Sequence, residues 1–178
     1  GKGVAPVITA VLVLTMGAAA FFDLRTRRIP NWLTLGGLAA ALLLRALTSV
    51  HPLLDGLAGA GLGFGIGIAC MILGALGGGD GKLLMTAGAF LGFRPFVGAL
   101  LLIGVLGGLL GIAEAVRQRA ILPAVYSAGG MLKRWATLGR SAAGPARTLE
   151  SPGAVKVPYG VAIALGALAW WFWGVPIL

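Results

Sequence analysis

Six apolar runs, at about 4–22, 32–47, 53–76, 83–92, 96–116 and 158–178, fill most of this 178-residue chain and limit its fold more than any other feature. A bilayer-spanning helix needs roughly 20 mostly apolar residues, and in lipid each backbone polar group must be bonded within the protein. Composition points the same way. The chain is 58% hydrophobic and 11% charged, with a mean hydropathy of +0.98, whereas a soluble domain carries about 25% charged residues. Too little polar surface remains to coat a soluble globule. The expectation is one all-α integral membrane domain over residues 1–178, a polytopic bundle of six transmembrane segments. The fourth run is short, about ten residues, and at about 1.5 Å per residue it would reach only about 15 Å. It either crosses a thinned region or is a half-helix buried among its neighbours. Residues 3–22 read as a retained first span, because a basic flank follows them where a signal peptide would carry small residues.

The net charge is +9, from 14 Lys/Arg against five Asp/Glu. In a soluble protein that balance would suggest nucleic acid. Here the basic residues fall between apolar runs, so no nucleic-acid partner is expected and the lipid bilayer is. With the N-terminus outside, eleven basic residues face the cytoplasm (Arg25, Arg27, Arg28, Lys82, Arg117, Arg119, Lys133, Arg134, Arg140, Arg147, Lys156) and three face out (Lys2, Arg45, Arg94). That bias predicts both termini outside. Within the long 117–157 loop, Met131, Leu132, Trp135 and Leu138 recur at helical spacing, which suits an amphipathic helix on the cytoplasmic membrane surface. Glycines at 59, 61, 63, 65 and 67, and again at 104, 107, 108 and 111, form overlapping GxxxG patterns that predict close helix packing.

Of the five acids, three have ordinary explanations. Asp55 suits a helix start, Glu114 an i,i+3 ion pair with Arg117, and Glu150 a solvated connector. Asp23 follows "GAAAFF" and Asp80 follows "ILGALGGG", each at the cytoplasmic boundary of an apolar run. Taken singly, Asp23 could be an interfacial residue neutralised by Arg25, Arg27 or Arg28, and Asp80 a helix N-cap. Together, on one face of a membrane where ionisable groups are costly, they suggest a pair. Two carboxylates sharing a proton can activate water for attack on a peptide carbonyl, one acting as base and the other as acid. Gly77, Gly78 and Gly79, lacking side chains, would leave an open helix end that a substrate backbone could approach. One cysteine and one histidine exclude a Cys/His metal cage, and no cofactor is expected.

These residues resemble a known family. Gly77-Gly78-Gly79-Asp80 matches the GxGD signature of membrane aspartic proteases. "DLRTRRIPN", from Asp23 to Asn31, the Gly81-Lys82-Leu83 that follows the signature, and "KVPYGVAIALG" near the last run resemble the bacterial type IV prepilin peptidases. With a single cysteine and almost nothing before its first span, the chain looks like the short form associated with tight-adherence (Flp-type) pili. The resemblance implies an aspartic endopeptidase of the bacterial inner membrane that cuts the short cytoplasmic leader of prepilins or pseudopilins after glycine. It implies Asp23 and Asp80 as catalytic residues, with Lys82, Arg27, Arg28, Pro30 and Asn31 supporting the site or binding substrate alongside the three glycines. Pilus assembly machinery is a further partner. The paired cysteines of the methylating long forms are missing, so methyl transfer is not expected. Two rival classes are a proton-coupled transporter relaying protons through the two acids and a non-enzymatic membrane component of a pilus or secretion system. Against the first, both acids lie at one interface and no inverted repeat is evident; against the second, a scaffold has no need of two boundary carboxylates.

Overall fold

The computed structural model describes residues 4–72, 75–117 and 158–174, and it is helical throughout. The helices are α1 (Val4–Thr26), α2 (Asn31–Ala46), α3 (Val50–Ile72), α4 (Gly78–Leu91), α5 (Phe93–Arg117) and α6 (Tyr159–Trp173). They fall on the six apolar runs. By length and composition, α1, α3 and the Phe93–Glu114 part of α5 could each cross a membrane. The other three, α2, α4 and α6, are shorter, at 16, 14 and 15 residues. The surface helix expected in the 117–157 loop lies outside the described residues.

The short α4 is the centre of the bundle, touching each of the other five helices, and these close a ring around it in the order α1, α2, α3, α5, α6. From Thr86 to Leu91 every α4 residue is buried, as are Leu83 and Leu84. Leu12 and Met16 of α1, Phe96 of α5 and Ile163 of α6 complete the core around Leu83 and Phe90. The fourth segment is thus a helix whose second half is buried among its neighbours, while its first turn at Gly78 is partly exposed.

Glycine allows α3 to approach α4 this closely. A Cβ at Gly59 or Gly63 would run into the backbone of Gly88 or Leu84, and one at Gly67 would lie 2.8 Å from Gly81 Cα. By contrast, Gly61 and Gly65 on the same helix have nothing within 4 Å. The glycines at every fourth position, 59, 63 and 67, thus make the interface, and Gly61 and Gly65 between them face outward.

Each end of the bundle is tied by a polar cluster. At one end Arg45, closing α2, donates from Nη1 to Pro52 O at 2.8 Å and from Nη2 to Phe90 O at 2.8 Å, and it pairs with Asp55 at 3.3 Å. Asp55 Oδ1 accepts the Phe93 N–H at 3.0 Å, so the helix start it serves is that of α5. One residue, Gly92, joins α4 to α5 with φ +83, a left-handed conformation in which a side chain would also strike the Asp55 carboxylate. The opposite end carries Asp23, Asp80 and Glu114.

Candidate active site

Helix α1 ends in a left-handed turn at Arg27 (φ 50), whose N–H donates to Asp23 O at 2.9 Å. A residue in this conformation just past a helix satisfies a carbonyl the helix leaves free. The Thr26 hydroxyl bonds Phe22 O at 2.8 Å and Arg28 O at 3.0 Å, tightening the same turn. Pro30 then caps α2 in an extended conformation (φ −62, ψ 137). "DLRTRRIPN" is therefore a helix end, a tight turn and a helix start, and Asp23 lies inside the last turn of α1, only 5% exposed.

A buried carboxylate needs partners, and Asp23 finds one on α6. The Val161 N–H donates to Asp23 Oδ2 at 3.3 Å. Pro158, the N-cap of α6, supplies no side-chain cap, so the carboxylate of α1 takes that place. The fit depends on Gly160, where a Cβ would lie 2.8 Å from Asp23 Oδ2 and 2.8 Å from Ile29 Cδ1.

Asp80 occupies the third position of α4, half-buried, and its Oδ2 accepts the Gly77 N–H at 3.2 Å. Two expectations change here. The N-cap is Gly77 (φ −78, ψ 161), not Asp80, and Gly78 and Gly79 belong to the helix. The fourth segment thus starts at Gly78 rather than near residue 83, and Gly78, exposed, and Gly79 form its first turn. The reason is the Asp80 carboxylate, which reaches back to bond one of the N–H groups at the helix start and stabilises a first turn that three glycines alone would leave weak.

Ile29 links the two halves. Its side chain lies against Gly160 beside Asp23, and its Cβ would be 3.5 Å from a Cβ at Gly79, next to Asp80. Asp23 and Asp80 are near enough that the charge of one acts on the other. Both carboxylates also lie at helix N-termini, α6 for Asp23 and α4 for Asp80, where the helix dipole favours negative groups. Tyr159, the first residue of α6, has its phenol in the field of Asp80 and its ring 3.3 Å from the position a Gly107 Cβ would take.

The supporting residues divide. Lys82 Nζ donates to Asn31 Oδ1 at 2.8 Å, tying α4 to the start of α2. Arg27 pairs with Glu114 of α5 at 2.9 Å while its charge also reaches Asp23. Arg28 is exposed, and Gly78, exposed too, has only Met71 Sδ nearby, at 3.9 Å from a would-be Cβ. The expected Glu114–Arg117 pair is present at 3.0 Å, but it is half of a larger arrangement. Gly160 and Val161 were missing from the expected site residues. "VPYG" carried a signal, since a proline and a glycine flanking a helix start mark a place where backbone comes close to something else.

No curated protein and no solved structure matches the chain. The sequence profile of the type IV leader peptidase family does match, over residues 10–112, a stretch that runs from early α1 through most of α5 and includes Asp23, Asp80 and Lys82. That stretch is more than half of the chain, and the protein belongs to the type IV leader peptidase family.

Proposed function

We propose that the protein is an aspartic endopeptidase that removes the short leader of type IV prepilin-like proteins, with Asp23 and Asp80 as its reacting carboxylates. The observation that supports this most is that two acids, from α1 and α4, lie at one end of the bundle, each held by a backbone N–H, with the charge of Asp23 acting on Asp80. In this reading the pair shares one proton, because two neighbouring carboxylates away from bulk water do not both ionise. The ionised member takes a proton from water as the water oxygen attacks the scissile carbonyl. The protonated member gives its proton to the amide nitrogen as the C–N bond breaks, and the pair ends with the same single proton. No cofactor enters this scheme.

In this reading the substrate's apolar helix lies beside the bundle, and its leader junction sits at the level of the two aspartates. Glycine is the expected residue before the cut, because a backbone without a side chain comes closest to the carboxylates. The Lys82–Asn31 bond and the Arg27–Pro30 turn hold α1, α2 and α4 in register around that point. Among the described residues, Arg25, Arg27, Arg28, Lys82 and Arg117 lie at this end and Arg45 at the other, which supports an orientation with the site facing the cytoplasm of a bacterial inner membrane. Prepilins or pseudopilins, including those of tight-adherence pili, are the proposed substrates, and pilus assembly machinery is a proposed partner.

The test is cleavage of a prepilin-like substrate by Asp23→Asn and Asp80→Asn enzymes. Asparagine keeps the size of each side chain and removes its titrating proton. Each variant is expected to insert and melt like the parent while losing cleavage by at least about 10³-fold, with the double variant no worse than either single one, as for residues that act as a unit. Near-normal processing by either variant would falsify the pair.

A further inference from the structure

Glu114 stands outside the carboxylate pair, yet it is only 9% exposed at the end of α5. Its Oε1 accepts from Arg27 Nη2 at 2.9 Å and from Arg117 Nη2 at 3.0 Å, and its Oε2 accepts from Arg117 Nε at 3.0 Å. The two arginines are not equivalent. Arg117 is a neighbour on the same helix with a side chain 71% exposed, whereas Arg27 comes from the turn after α1 and its side chain is half as exposed, at 34%.

Arg27 is also the one described non-glycine residue with a left-handed backbone. That conformation disfavours any residue with a Cβ, so something must hold it. Its N–H bonds the carbonyl of Asp23 itself, and two residues further on Ile29 packs against Gly160 and Gly79, which flank the two carboxylates. Whatever fixes Arg27 therefore fixes the backbone of Asp23 on one side and the wedge between the aspartates on the other. Stability alone would be served as well by apolar residues at positions 27 and 114 together, since replacing a buried ion pair by packed hydrophobic side chains is often neutral or stabilising.

We infer that Glu114 is a positioning residue of the proposed peptidase site, anchoring Arg27 to α5 and thereby setting where Asp23 stands relative to Asp80. This rests on the aspartic-peptidase reading above. Glu114 itself moves no proton in the reaction, as both of its oxygens are engaged by guanidinium groups.

The test is a set of full-length variants in bilayer nanodiscs: Glu114→Gln, Arg27→Gln, the two combined, Arg27→Lys and Arg117→Gln. The substrate is a short leader ending in glycine fused to an apolar helix of about 20 residues. Displacements near 1 Å can cost about 100-fold in rate. Glu114→Gln and Arg27→Gln should therefore each lower kcat by about 10- to 100-fold, with KM changed by less than about 2-fold. The combined variant should be no slower than the worse single one, because both changes cut the same tie. Arg27→Lys should recover much of the loss, and Arg117→Gln should stay within about 2-fold of the parent. Thermal melting of each variant separates positioning from unfolding. Multiplicative losses in the combined variant, an unchanged kcat in Glu114→Gln, or losses that follow melting temperature would each overturn the inference. Asp23→Asn and Asp80→Asn run in the same assay: if they cleave normally, the aspartic reading fails and this inference with it. If they are dead while Glu114→Gln is normal, only the positioning role fails.

Discussion

Gly160 is the residue on which the environment of Asp23 depends most directly. A methyl group there would lie 2.8 Å from both Asp23 Oδ2 and Ile29 Cδ1, too close to stay, so the carboxylate and the wedge beside it must move. Overpacking of this kind costs about 1–3 kcal/mol of stability, while a shift of the reacting group costs far more in rate. Gly160→Ala is therefore expected to fold, to melt somewhat lower and to lose at least about 10-fold in kcat. Gly17→Ala and Gly36→Ala, with nothing within 4 Å, should be neutral in the same cleavage and melting measurements. Equal activity in all three variants would detach Gly160 from the site. At this scale the sequence was informative about the acids and silent about their partners. Asp23 and Asp80 could be singled out because a carboxylate beside an apolar run is anomalous on local grounds. The Val161 N–H that meets Asp23, 138 residues away, and the Arg27–Glu114 pair, 87 apart, leave no local trace. Arg117, three residues from Glu114 on the same helix, offered a sufficient and correct partner that concealed the second one.

Among the elements, α4 decides the architecture, and its contact with α3 is made by backbone rather than side chains. In lipid no hydrophobic effect draws two helices together, so close approach and the van der Waals contact it allows must do so. Gly59, Gly63 and Gly67 supply that face, and Gly61 and Gly65 do not. Gly63→Val should force the two helices apart, with a cost at or above about 1–3 kcal/mol from overpacking, whereas Gly65→Val should leave stability nearly unchanged. Melting of the two variants in the same detergent checks this, and similar losses would show that the glycines matter by composition, not by face. The sequence made the glycine contact foreseeable but not its phase. With glycine at every second position from 59 to 67, several overlapping GxxxG sets are equally valid on paper. Only the register of Gly81, Leu84 and Gly88 across the interface selects one of them. The start of α4 was misread for a related reason. Glycines weaken a helix on propensity, and the side-chain bond from Asp80 back to Gly77 that offsets this becomes visible only once the turn exists.

Across the whole molecule, the two polar ends do different work. Arg45 and Asp55 join the ends and starts of α2, α3, α4 and α5 and hold the bundle at the end away from the aspartates. The other end gathers Asp23, Asp80, Glu114, Lys82 and the 25–28 arginines. A leader peptidase must place its reacting groups on the side of the membrane where the leader waits, so the proposed mechanism stands only with one orientation of this bundle. The charge bias is the ground on which that orientation is proposed, since Lys and Arg near span ends tend to stay on the cytoplasmic side. Single cysteines in a Cys70→Ala background test it at two positions exposed in the structure, Ser49 at the Arg45 end and Arg117 at the aspartate end. Neither lies among the proposed catalytic groups, and both face away from the packed core. Ser49→Cys should react with a membrane-impermeant maleimide in intact spheroplasts. Arg117→Cys should react only after the membrane is opened, and cleavage should persist in both variants. The reverse labelling pattern would put Asp23 and Asp80 on the outer face, where they could not act on a cytoplasmic leader, and the proposed substrate would fall even if the carboxylate pair survived.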